Sequence, residues 1–184
     1  MSDSNVFLVP ADEPGPKRRS IKRKVLALLE RRGIVKGFYD EELGWYAAGP
    51  RSSDLFNGLD AGAQAFEYAI IYDRRAAHFV PDSHTGGFGA RCGGCGATLD
   101  DVLYDLLDEQ GEDEDAKDMT NASIVCPGCK QANALTSLSA EVETAVSRFF
   151  INFCVVDTFD VAAAVVSELE AIVGAKLRII PERL

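Results

Sequence analysis

The chain has 184 residues, 47% hydrophobic and 26% charged. It belongs with ordinary globular proteins, long enough for one sizeable core or a core with a small inserted module. A formal net charge of -10 sets most of the surface against phosphate backbones, and no apolar stretch reaches the roughly 18 to 20 residues of a membrane span.

Residues 1–19 contain Pro10, Pro14 and Pro16 and read as a flexible N-terminal tail. They lack the basic start and apolar run of a secretory signal, so a cytoplasmic location is expected. A single α+β domain is expected over 20–184. Ser20 can cap a first helix, with Ile21, Val25, Leu28 and Leu29 on one face and Gly33 as its stop. Basic residues crowd this segment. Lys17, Arg18, Arg19, Lys22, Arg23, Lys24, Arg31, Arg32 and Lys36 stand against the single acid Glu30, which makes residues 17–36 +8 and the remainder -18. Such a face is either solvated and matched by the acidic body or a contact for an acidic partner or nucleic acid.

Gly44 to Pro50 reads as a short strand closed by a Gly-Pro turn. Phe38, Tyr39, Trp45, Tyr46 and Phe56 make this stretch aromatic. Packing beside the first helix is expected, with a binding groove around Trp45 as the alternative. Asp40, Glu41 and Glu42 read as a solvated turn. Phe66 to Tyr72 is a strand, Asp73 to Arg75 a turn, and Ala77 to Val80 the returning strand of a hairpin, with His78 a packed or half-exposed strand residue rather than a ligand. Pro81 to Arg91 reads as a flexible, glycine-rich lead, with His84 a conceivable extra ligand or base.

The strongest chemical signal follows. Cys92-Gly93-Gly94-Cys95 and Cys126-Pro127-Gly128-Cys129 are two Cys-x-x-Cys hooks. Two intervening residues let one tight turn present both sulfurs to one ion, and four thiolates suit tetrahedral zinc with Zn–S of about 2.3 Å. The pair resembles the knuckles of zinc-ribbon proteins, a generic module of about 40 residues, here placed over 91–131 as an insertion. The spacer is long. Thirty residues separate Cys95 from Cys126, beyond the common spacing of about 15 to 20. Thr98 and Asp101 suggest a capping box, and Leu99, Val102, Leu103, Leu106 and Leu107 an apolar stripe. The acidic run from Glu109 to Asp118 reads as a mobile loop, and Ser123 to Val125 as a short strand. One structural zinc is the favoured reading. Two redox dithiols or a catalytic zinc are alternatives, the latter lacking an open coordination position.

Ser137 to Val146 suggests a short helix. Phe149 to Val156 reads as an interior strand, Asp160 as the cap of a helix to about Val173, and Lys176 to Ile180 as a final strand. This is a β-α-β unit with parallel strands, and Cys154 is a buried strand thiol. The expected architecture is a small mixed sheet with helices on one face, ferredoxin-like in its C-terminal part, carrying the zinc-ribbon-like module. No acid–base–nucleophile constellation stands out. The expected function is therefore a non-enzymatic, zinc-stabilised protein-binding or adaptor protein with an acidic surface, such as an inhibitor or immunity-like protein. The alternatives are a nucleic-acid binder using the basic helix, or an enzyme using His84 or residues 40–42.

Overall fold

A computed structural model describes residues 4–15, 17–110 and 116–184. Glu112 to Asp115, the continuous acids of the expected mobile loop, lie outside the described residues. The chain forms two compact units: Met1–Asp73 with Phe149–Leu184, and Arg74–Arg148. The second unit is wider than the 91–131 insertion suggested by the cysteine spacing. Its core includes Phe79, Phe88, Leu135 and the flanking Val142 and Val146 as well as the hooks.

Residues 4–10, expected in a flexible tail, are not one. Ser4–Pro10 form strand β1, with Val6, Leu8 and Val9 fully buried. Its apolar run is what a strand covered on both faces requires, and Pro10 stands at its last position, where a missing amide costs least. Helix α1 (Arg18–Arg31) begins at Lys17 without a side-chain cap, so Ser20 lies inside it. Val25, Leu28 and Leu29 are its buried residues. The Gly33 amide donates to Glu30 O at 2.8 Å and the Ile34 amide to Leu29 O at 2.9 Å. With Gly33 at φ +71°, these are the paired bonds of a Schellman stop, fixed by the hydrophobic pair Leu29 and Ile34.

Strands β2 (Val35–Asp40) and β3 (Trp45–Ala48) form a hairpin, and Asp40 Oδ1 accepts from the Leu43 amide at 3.0 Å within its turn. Next comes β4 (Tyr68–Val80), one strand of 13 residues rather than a hairpin. The segment Asp73-Arg74-Arg75 has no Gly, Pro or Asn to turn the chain. Its groups are engaged instead: the Asp73 carboxylate accepts from Arg18 at 3.1 Å, and the Arg75 carbonyl from Arg148 at 3.0 Å. Helix α2 (Asp100–Asp108) and the small pair β5 (Ser123–Val125) and β6 (Ala132–Ala134) follow. Residues 145–146, suggested as helical, open strand β7 (Ala145–Cys154). Helix α3 (Ala163–Val173) and strand β8 (Leu177–Arg183) complete the chain.

The large sheet has the order β2-β3-β4-β7-β1-β8. β1 is antiparallel to both β7 and β8, so those two run parallel with β1 between them. The expected parallel pair is thus present but not adjacent. Pro181 is tolerated because β8 is an edge strand. Val6 and Leu8, Ala69 and Ile71, and Phe149, Ile151 and Phe153 share one core with α1 and α3. Their alternate spacing puts both helices on one sheet face. Asp160 does not cap α3. It lies three residues before the helix and accepts from Asn57 Nδ2 at 3.0 Å. Among the described residues, no helix is long and apolar enough to cross a membrane.

Candidate metal centre

The two hooks lie in the second unit, and they are built alike. In the first, the Cys92 amide donates to Ala97 O at 2.9 Å and the Gly96 amide to Cys92 O at 2.9 Å. In the second, the Cys126 amide donates to Gln131 O at 2.9 Å and the Lys130 amide to Cys126 O at 3.0 Å. Both loops are closed by antiparallel pairing, Arg91 with Thr98 and Val125 with Ala132. The residue after each second cysteine has positive φ: Gly96 at 73° and Lys130 at 64°. Glycine takes that conformation freely and lysine does not.

These loops bring Cys92, Cys95, Cys126 and Cys129 together, with all four sulfurs within 4.8 Å of one another. Cys92 Sγ is 3.5 Å from Cys129 Sγ, and Cys95 Sγ is 3.6 Å from Cys126 Sγ. Those separations far exceed a disulfide bond of about 2 Å. They are close to the roughly 3.8 Å edge of a tetrahedron with metal–sulfur distances of about 2.3 Å. Cys92 and Cys126 are buried and Cys95 and Cys129 exposed. The group can hold a metal ion.

Backbone amides prepare the sulfurs. The Cys95 and Gly94 amides hold the Cys92 thiol down to about 6. The Cys129 and Gly128 amides, with burial opposing, lower Cys126 in the same way. Cys129 accepts from the Gln131 amide, yet its neighbouring sulfurs push it up to about 11. Four sulfurs this close do not all ionise by themselves, and a divalent cation supplies the charge that lets them. Asn133 completes the surroundings. Its Oδ1 accepts from the Gly93 amide at 2.9 Å and its Nδ2 approaches Cys92 Sγ at 3.7 Å. Only the pairing of β5 with β6 brings it to the first hook, so its position in the sequence carried no sign of this role. A Cβ at Gly94 would meet Gln131 Oε1 at 2.0 Å, so the exposed Gln131 side chain would have to swing aside to admit one.

Comparison with family models, with curated proteins and with solved structures gives no match. The centre stands on its own geometry.

The supporting framework differs locally from the sequence pattern. Helix α2 starts at Leu99 without a side-chain cap. Thr98 instead accepts from Arg91 at 2.8 Å, and Asp100 takes the Gly89 and Ala90 amides at 3.1 and 2.8 Å. The glycine-rich lead is anchored, with Phe88 fully buried and its carbonyl accepting from Glu141 and Val142. Among the described residues the ligand group contains no histidine. His84 is half-buried, with Nδ1 3.0 Å from Thr85 O. His78 is buried, with Nδ1 2.7 Å from Gln110 Nε2.

The candidate contact residues of the first unit divide. Arg18 pairs with Asp73 at 3.1 Å and Glu13 at 3.3 Å, and Arg32 takes Glu168 through Nε at 3.0 Å and through its terminal nitrogen. Lys17, Lys24 and Arg31 are exposed. Arg19, Lys22 and Arg23 line a groove with Leu26, Tyr46 and Asp73. Burial, opposed by Asp73, lowers the Lys22 ammonium. The aromatic stretch divides too. Tyr46 and Phe56 are in the core, whereas Phe38 is 53% and Tyr39 49% exposed. The β2–β3 hairpin places neighbouring rings on opposite sides. Trp45 stacks on Tyr68 at 4.4 Å and 5°, and Tyr39 on Tyr68 at 5.1 Å. Cys154 is buried, and that burial pushes its thiol up to about 12.

Proposed function

We propose that the protein is a zinc-stabilised binding protein. Cys92, Cys95, Cys126 and Cys129 hold one structural Zn(2+) in a zinc-ribbon-like module, and the first unit presents a recognition surface to a protein partner. The observation that carries this reading is the repeated hook geometry with sulfur separations of 3.5 and 3.6 Å. A tetrahedral all-sulfur set suits zinc, and four thiolates leave no coordination position for water or substrate, so the role is structural. Strand β1 between parallel β7 and β8 supports a split β-α-β reading of the ferredoxin-like kind.

The surface that favours a protein partner is the stack of exposed Tyr39 on half-buried Trp45 and Tyr68, because tyrosine and tryptophan are the side chains that anchor interfaces. An acidic chain of this type suits a basic partner, as an inhibitor or immunity-like protein does. Protein purified without added metal should contain about one zinc per chain, released by Cys126→Ser. Absence of zinc, or unchanged metal content in the variant, overturns the module. For the partner, affinity capture with wild type and with Tyr39→Ala/Trp45→Ala should return a stoichiometric protein only with wild type. Return of none, or equal return with both, sinks the surface assignment.

A second reading, contact of α1 with a polyanion, is favoured by Arg19, Lys22 and Arg23. Among the described residues none of the three forms an ion pair, whereas Arg18 on the same helix and Arg32 just past its end do.

A further inference from the structure

The groove beside α1 has no part in the metal centre and lies wholly in the first unit. Its volume is about 380 Å³, within the size range of small-ligand clefts. Positions 19, 22, 23 and 26 share one helix face at i, i+3, i+4 and i+7 spacing. Three of them are cations that form no ion pair among the described residues, though the charge of Asp73 acts on Lys22, in a protein whose net charge is -10. Like charges this close on a helix repel one another, and an anion between them relieves that repulsion. Asp73 is the acid in the wall, and it is already matched by Arg18 at 3.1 Å. Two arginines and a lysine around one cleft are a donor set for phosphate oxygens.

Tyr46 forms part of the lining. Phe38, its partner across the β2–β3 hairpin, stacks on it at 5.2 Å and 25° and keeps about half of its surface in solvent. An exposed ring held flat against a second ring is a platform for a planar heterocycle. Phosphate donors and a stacking platform therefore meet at Tyr46.

We propose that this groove binds a nucleotide, with the phosphate on Arg19, Lys22 and Arg23 and the base on Phe38. The charge part rests on the polyanion reading of α1, while the ring adds a requirement that charge alone does not make. The nucleotide is either free or one unit of a single strand.

The test titrates the full-length protein at low salt with AMP, with a short single-stranded oligonucleotide of mixed sequence, and with inorganic phosphate. Saturable binding of AMP or of the oligonucleotide is expected. It should weaken about tenfold or more in Arg19→Glu/Arg23→Glu. It should weaken several-fold in Phe38→Ala and be restored in Phe38→Trp. Arg31→Glu, outside the groove, should bind as wild type does, and each variant's thermal midpoint reports whether it folds. Binding of AMP identifies a free nucleotide as sufficient, and binding of the oligonucleotide alone, still dependent on Phe38, identifies a strand. Failure of both overturns the nucleotide groove and the polyanion reading together. Oligonucleotide binding indifferent to Phe38→Ala, with no AMP binding, overturns the groove and leaves a contact of charge alone. Phosphate bound as tightly as AMP removes the base-stacking role.

Discussion

The first unit gathers Phe66, Phe149, Phe153 and the apolar faces of α1 and α3 over a six-stranded sheet. The second unit has less than half as many buried core residues among those described, and two of them are Cys92 and Cys126. The first can be held by apolar burial, which scales with area removed from water. The second has a smaller apolar core and sets two of the four cysteines that can hold a metal ion inside it, so a bound metal would act there as it does in small stapled domains. Each therefore has a different point of failure: a large side chain in one, a ligand atom in the other.

The largest expected effect separates the two directly. If the proposed structural zinc is bound, Cys126→Ser, or a strong chelator, should remove amide-exchange protection at Leu99, Leu103 and Ile124, because such an ion contributes apparent binding energies of about 10 to 16 kcal/mol. Protection at Val6, Leu8 and Ile151 should persist. Simultaneous loss at both sets would show one cooperative unit and break the comparison. In the reverse direction, Leu8→Ala in the buried centre of β1 should cost about 2 to 5 kcal/mol in urea unfolding. It should leave zinc content unchanged. A cost near zero would mean β1 is not part of the core.

A smaller effect tests the likeness of the two hooks. Gly96 and Lys130 hold the same positive-φ position, and a Cβ at Gly96 would meet nothing within 4 Å. Gly96→Ala should therefore lose about 1 kcal/mol, and Lys130→Gly should gain a similar amount. Both are read by chelator-induced unfolding, and opposite signs are required. The smallest effect at neutral pH lies at Cys154. Its folded value of about 12 exceeds the ordinary 9.0. That raised value means the neutral thiol is favoured by the fold, so its contribution is complete below pH 9 and fades as pH climbs toward 12. Cys154→Ala should flatten part of the alkaline loss of stability. An unchanged slope would show that the thiol titrates normally.

Local signals were legible. The two hooks predicted the four sulfurs that the fold brings within 4.8 Å of one another, and the Ile21–Leu29 stripe with Gly33 predicted α1 and its stop. Each needs only neighbouring residues: a tight turn for the sulfurs, and a 3.6-residue period for the helix. The Thr98–Asp101 box failed although its pattern is also local. Gly89 and Ala90 present amides to Asp100, and Arg91 occupies Thr98. Tertiary hydrogen bonds replaced the local ones. The suggested turn at Asp73 failed for a similar reason, because partners on α1 and β7 engage an extended chain there.

By itself the sequence determined the four cysteines that can hold a metal ion, the buried face of α1, and the excess of cations between residues 17 and 36. Tertiary structure decided where β1 goes, because a short proline-flanked apolar run becomes an interior strand only when β7 and β8 stand on either side. It also decided which cations remain available, since Asp73 and Glu168 reach Arg18 and Arg32 from distant positions and leave Arg19, Lys22 and Arg23 around the groove. Composition sets the charge of a segment, but ion pairing depends on distances that only the folded chain supplies.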